Sequence, residues 1–150
     1  MSTVTSPAST IDAPTQFSDL GVPADLVDVL AADGITEPFP VQIATIPDAL
    51  AGLDVCGKAP TGSGKTLAFG LPVVAHVAKA QPGRPQVLIL APTRELANQI
   101  KDQLAPLAAR RRRRVAAIYG GVGYGPQRNA LRNGTDILVA CPGRLEDLLE

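Results

Sequence analysis

Between Asp54 and Thr66 the chain reads Asp-Val-Cys-Gly-Lys-Ala-Pro-Thr-Gly-Ser-Gly-Lys-Thr, and no other stretch constrains its fold as much. Asp54 to Lys58 has the character of a buried strand. It runs into a turn that Gly62 and Gly64 let fold tightly, and then into a helix beginning at Gly64. The start of a helix carries unpaired N–H groups and a positive dipole end, so a turn of this kind cradles phosphate. Lys65 brings a charge to the outer phosphates, and the Thr66 hydroxyl can ligate the Mg²⁺ that travels with them. The pattern predicts a nucleoside triphosphate site on Ala59, Pro60, Thr61, Gly62, Ser63, Gly64, Lys65 and Thr66, the last two taking part in the chemistry. Ala59 stands where the general pattern has glycine, so an ordinary glycine-rich turn with an incidental lysine competes at this point.

From Asp54 onward strands and helices alternate. Val87 to Leu90 is predicted as a fully buried strand, Arg94 to Leu107 as a helix with Leu96, Ile100, Leu104 and Leu107 at helical spacing, and Val115 to Tyr119 as a third strand. Pro126 to Arg132 reads as a short helix closed by Asn133-Gly134, Asp136 to Ala140 as a fourth strand, and Arg144 as the start of a last helix. Upstream, helices are expected over Pro23 to Asp33 and from Gln42 to Gly52. Alternation of this kind means an α/β fold with a parallel sheet covered on both faces. A compact chain of 150 residues would bury about 68 to 70% of its unfolded surface.

Residues 1–16 are mostly Ser, Thr, Pro and Ala and read as a disordered tail. No apolar run approaches the roughly 18 residues of a membrane span. Two cysteines, Cys56 and Cys141, suggest a reducing compartment, and the cytoplasm fits. The net charge of zero is unevenly spread: residues 1–80 carry three lysines against eight acids, whereas residues 81–150 carry ten arginines and Lys101 against six. The second half is the one suited to a polyanion. The run Arg110 to Arg114 is read as solvated charge behind a helix C-terminus and is left out of the site. His76 has no Cys or His partners at metal spacing.

The strand C-termini, where open α/β sheets bind ligands, lead into four loops: Ala59 to Thr66, Pro92 to Ala97, Gly120-Gly121 and Pro142-Gly143-Arg144. Together with Gly34-Ile35-Thr36-Glu37-Pro38-Phe39-Pro40-Val41-Gln42 and the isolated Phe17 upstream, these segments resemble, in order, the motifs of the first RecA-like domain of a DEAD-box RNA helicase of superfamily 2: the Q motif, motif I, motif Ia, the glycine doublet and most of motif Ib. Motif I of that family itself begins with Ala, so Ala59 becomes a point in favour.

The resemblance implies a P-loop NTPase of RecA-like, three-layer architecture over residues 17–150. It implies ATP and Mg²⁺ as cofactors, Phe17 packed against the adenine, and an RNA backbone held by Pro92, Thr93, Arg94, Gly120, Gly121, Pro142, Gly143 and Arg144. A glutamine can pair bidentately with adenine and mismatches guanine, which assigns Gln42 to the base and favours ATP over GTP. Thr93 as a plain N-cap, Arg94 as a surface charge, Gln42 as an ordinary helix residue and Phe17 as a core anchor are the competing readings. Cys141 departs from the usual Thr of the family, and Pro60 from the usual Gln.

No apolar strand here is followed by the carboxylate pair that hydrolysis requires. The chain is therefore expected to be the N-terminal part of a longer enzyme, incomplete at the C-terminal side of its sheet and inactive by itself, with a second RecA-like domain as partner. Exposed apolar surface and unpaired sheet edges are expected to follow. A DNA-directed superfamily 2 helicase and a nucleotide- or RNA-binding module without catalysis are the alternatives. A GTPase would need an Asn-Lys-x-Asp base reader, and no such tetrapeptide occurs.

Overall fold

The computed structural model describes residues 15–150, so the expected tail lies outside the described residues except for Thr15 and Gln16. Gln16 belongs to the folded part: its N–H donates to Asp19 Oδ2 at 2.7 Å and so begins a 3-10 turn, Phe17–Leu20. Helices α1 (Ala24–Ala32) and α2 (Pro40–Leu50) follow, then α3 (Lys65–His76), β1 (Val87–Leu90), α4 (Arg94–Arg110), β2 (Val115–Ile118), α5 (Tyr124–Arg132), β3 (Ile137–Ala140) and α6 (Pro142–Leu149).

Three strands form one parallel sheet in the order β1-β3-β2, Ile137 lying opposite both Val87 and Val115. Because successive strand residues point to opposite faces, Ile137 and Val139 enter the main core, where they join Leu26 of α1, Leu71 and Val74 of α3, and Ile100 and Leu104 of α4. Leu138 and Ala140 face the other way, where a smaller cluster gathers Ile118 with Leu131, Leu145 and Leu148 from α5 to α6. The result is the three-layer α/β arrangement that alternation predicts, and β3 at its centre is buried along its whole length.

Two expectations about the sheet need correction. Asp54 to Lys58 is extended but pairs with no strand, and its residues are exposed. Parallel pairing needs a neighbour along the whole segment. Here a cavity of about 380 Å³ separates Val55 and Gly57 from Ile89 and Leu90 of β1. The outer edge of β1 is consequently unpaired. Nor is β1 buried on both faces: Val87 and Ile89 reach the core, but Leu88 and Leu90 are 51% and 57% exposed. The helices α5 and α6 pack over β2 and β3, leaving this end of the sheet uncovered.

The arginine run is only partly solvated. Arg111 makes a bidentate pair with Asp25, both contacts 2.9 Å, and donates to the Ala75 carbonyl at 2.7 Å, while Arg113 donates to the Val77 carbonyl at 3.1 Å. These two arginines satisfy carbonyls that the end of α3 leaves open and tie α1, α3 and α4 together. Arg110, Arg112 and Arg114 are exposed. No helix among the described residues is long and apolar enough to cross a membrane.

Candidate functional site

Gly64 is the N-cap of α3 and has φ +81°, a left-handed conformation that glycine adopts without strain. A side chain there would have no room. A Cβ built on Gly64 would lie 2.7 Å from Phe39 Cδ2 and would collide with Gln42 Nε2. The close approach comes from α2, whose N-cap Phe39 and third residue Gln42 pack against the turn. Gln42 is 1% exposed, accepts from the Phe39 N–H at 2.8 Å and donates to the Gly64 carbonyl at 2.9 Å. It therefore lies beside the turn from Ala59 to Gly64, with both ends of its amide engaged by the protein. One proton and one lone pair remain for a ligand.

Lys65 folds back over the turn, its Nζ donating to the Ala59 carbonyl at 2.5 Å and the Pro60 carbonyl at 3.0 Å. Ser63 Oγ donates to the Pro60 carbonyl at 2.6 Å, so the turn from Ala59 to Gly64 closes on its own side chains. Thr66, partly buried, lines the cavity shared with Val41, Phe69 and Ile89.

Phe17 is placed elsewhere. It is 1% exposed and sits in the main core with Leu20, Val22 and Leu26, so its ring presents no face to a base in this conformation. Here it is a core anchor. Phe39, by contrast, is half exposed next to Gly64, and only its contact across the fold singles it out.

The other three loops converge at the same end of the sheet. Thr93 caps α4, its hydroxyl accepting from the Leu96 N–H at 3.2 Å, which is the competing N-cap reading. Arg94 is exposed, its guanidinium lying over the Tyr119 ring at 5.2 Å and within 3.7 Å of where a Cβ on Gly121 would stand. Motif Ia and the glycine doublet are thus brought into contact. Pro142 and Gly143 open α6 and are exposed.

Arg144 departs from its expected role. It is 8% exposed, and its Nη1 donates to the Val122 carbonyl at 3.0 Å and to Gln127 Oε1 at 3.2 Å. Gln127 Nε2 in turn donates to the Tyr119 carbonyl at 2.9 Å. Arg144 and Gln127 therefore hold both ends of the Gly120-Gly121 loop from beneath, and Arg144 is a strut for the loop more than a free donor. Gln127 escaped sequence reasoning. Its burial and both its partners come from the fold, and the sequence offered only a glutamine near the start of a predicted helix after a glycine-rich loop.

Residues 39–150 match the family model described as DEAD/DEAH box helicase. DEAD-box ATP-dependent RNA helicase 30 of Arabidopsis thaliana is 48% identical over 139 residues, covering 89% of this chain and 23% of the relative. The chloroplastic DEAD-box ATP-dependent RNA helicase 3A of Zea mays is 44% identical over 137 residues, covering 87% of this chain and 18% of the relative. The crystal structure of the RNA helicase Prp28 from Chaetomium thermophilum bound to ADP superposes with a TM-score of 0.81 at 41% identity, over 95% of this chain and 36% of that one. A DEAD box protein from the hyperthermophile Methanococcus jannaschii gives a TM-score of 0.79 at 34% identity, over 88% and 36%. The chain thus spans less than a quarter of the length of these two curated relatives.

Proposed function

The chain belongs to the DEAD/DEAH box helicase family, and from that premise we propose that residues 17–150 are the ATP-binding and RNA-backbone-binding portion of the first RecA-like domain of an ATP-dependent RNA helicase. The observation that carries this reading is the closed turn at the start of α3. Lys65 spends its charge on the Ala59 and Pro60 carbonyls, and the Gln42 amide is fastened to Gly64 next to it. Phosphate oxygens are stronger partners for an ammonium than neutral carbonyls are. A triphosphate therefore draws Nζ outward, opens the turn and meets the free N–H groups of α3. Likeness to a helicase structure described as ADP-bound supports the same site.

Among the described residues no three His, Cys, Asp or Glu side chains gather, and the side-chain group that would hold Mg²⁺ beside the phosphates is the Thr66 hydroxyl. When bound, Mg²⁺ would supply charge neutralisation to the phosphates. The adenine edge falls to the proton and lone pair that Gln42 has left, and Phe39 offers an aromatic surface beside them.

An RNA strand is gripped through its phosphates at the N-termini of α4 and α6, by Arg94 and by the glycine loop that Arg144 supports. A grip on phosphates needs no base-reading group, so it is independent of sequence. Hydrolysis is not assigned to these residues: β1 runs into Pro92 and β3 into Pro142, with no carboxylate pair following either. In the whole protein ATP turnover drives clamping of RNA and local separation of duplexes as a second RecA-like domain closes. The two free cysteines fit a reducing compartment such as the cytoplasm.

The test is binding of a fluorescent ATP analogue to the chain, with RNA and DNA oligonucleotides of equal sequence in competition. Saturable binding that Lys65→Ala removes, phosphate release that stays at background with or without RNA, and preference for RNA are expected. Binding indifferent to Lys65→Ala, or turnover by the chain alone that Lys65→Ala abolishes, contradicts the assignment.

A further inference from the structure

Tyr124 opens α5 immediately after the glycine loop, and nothing in the function proposed above uses it. Its ring is nonetheless held in place while 43% of the residue is exposed. The guanidinium carbon of Arg144 lies 4.1 Å from the ring centroid, and the hydroxyl donates to Asp147 Oδ2 at 3.2 Å. Arg144 is the buried residue that also fastens the Val122 carbonyl. The ring and the loop are therefore positioned by one side chain, and the aromatic surface loses little freedom when a ligand covers it. A second cation, the exposed Arg128, also lies over the ring, its guanidinium carbon 5.6 Å from the centroid.

The charges around the ring select what can settle on it. Asp147 at its hydroxyl end repels phosphate, whereas Arg94 beside Gly121 attracts it. Gly121 and Tyr124 are three residues apart, which limits their Cα separation to roughly 11 Å. A strand whose phosphate lies on the glycine loop can therefore place an adjacent base within reach of Tyr124. Arg128, being exposed, can leave the ring for the next phosphate, and a base that stacks there takes its place. A base within a duplex has both faces already stacked and cannot join.

We propose that Tyr124 is a stacking platform for one unpaired base of the strand held by the Gly120-Gly121 loop, so that this site favours single-stranded RNA without reading its sequence. The inference rests on the RNA-backbone assignment above and adds a base contact to it. Stacking on an aromatic side chain is tolerant of base identity.

The experiment measures binding of the chain to a labelled oligouridine and to the same ribose-phosphate oligomer without bases, for wild type, Tyr124→Ala and Tyr124→Phe. Tyr124→Ala is expected to weaken oligouridine binding about 5- to 100-fold and to leave the abasic oligomer unaffected. Tyr124→Phe, which keeps the ring on Arg144 and loses only the Asp147 bond, should bind both as wild type does. Equal weakening of both oligomers by Tyr124→Ala, or weakening of neither, overturns the base contact while leaving the backbone assignment intact. Failure of wild type to bind either oligomer overturns the backbone assignment itself.

Discussion

Replacing Gln42 separates its service to the fold from the ligand contact proposed for it. The side chain is buried and joins α2 to the turn before α3 through two hydrogen bonds, one from the Phe39 N–H and one to the Gly64 carbonyl. Gln42→Leu keeps most of the volume and removes both bonds. Orphaning a buried polar group costs about 1 to 3 kcal/mol. Both bonds are only partly buried, so water repays some of that and the leucine regains some by its apolarity. A net loss of about 1 to 2 kcal/mol results, and in a chain of this length each kcal/mol lowers Tm by about 2 to 4 °C.

Gln42→Glu makes a sharper version. A neutral carboxyl can donate to the Gly64 carbonyl, but a carboxylate places lone pairs against it. Burial of the side chain adds to that repulsion and works against the opposite pull of the Phe39 N–H, so the folded state raises that carboxyl's pKa above the usual value of about 4.3. Stability is present below that value and is lost as pH rises through the higher folded one. The assay is thermal unfolding by circular dichroism without nucleotide, at several pH values. If Gln42→Leu melts with the wild type and Gln42→Glu shows no loss on raising pH, the brace contributes nothing and the residue is kept for a ligand alone.

Other outcomes follow from the same geometry. The bidentate bond from Arg111 holds the Asp25 carboxyl below its ordinary pKa of 3.8, so the pair stabilises the fold above that value and the benefit disappears as pH falls through the lowered one. Both side chains are part exposed, which limits the loss in Asp25→Asn to about 1 kcal/mol; its urea midpoint should be lower than wild type at neutral pH and converge with it in acid. Gly64→Ala forces a Cβ into Phe39 and Gln42 at a positive φ, and the turn should lose binding of a fluorescent ATP analogue by at least tenfold while far-ultraviolet circular dichroism is unchanged. Leu88→Lys puts a charge on the uncovered face of β1, so light scattering from concentrated solutions should fall with no drop in Tm.

How much was legible in the sequence differs between backbone and side chains. The order of elements and the parallel sheet follow from periodicity and punctuation, because a strand–turn–helix pattern is stored in neighbouring residues. Element ends shifted by only a few positions: α5 begins at Tyr124 instead of Pro126, and α6 at Pro142 instead of Arg144. The segment Asp54 to Lys58 differed for another reason. Its residues suit a strand, but strand formation belongs to a pair, and no adjacent strand lies within bonding distance across the cavity beside β1.

The candidate site divides in the same way. Ala59 to Thr66, Gln42, Arg94 and the glycine doublet were identifiable from local pattern, and the fold brings each group to one end of the sheet. What each side chain does there depends on partners far away in sequence. Phe17 became core because α1 and α2 close over it; Arg144 became a strut because Val122 and Gln127 lie beneath the loop; Arg111 became a clamp because Asp25 is 86 residues upstream at bonding distance. The sequence by itself determined where backbone N–H groups and glycines can meet a phosphate, since that is a matter of local conformation. Only the tertiary structure decided which polar side chains remain free to do so, because hydrogen bonds and burial are settled by whichever groups the fold brings close, not by their neighbours along the chain.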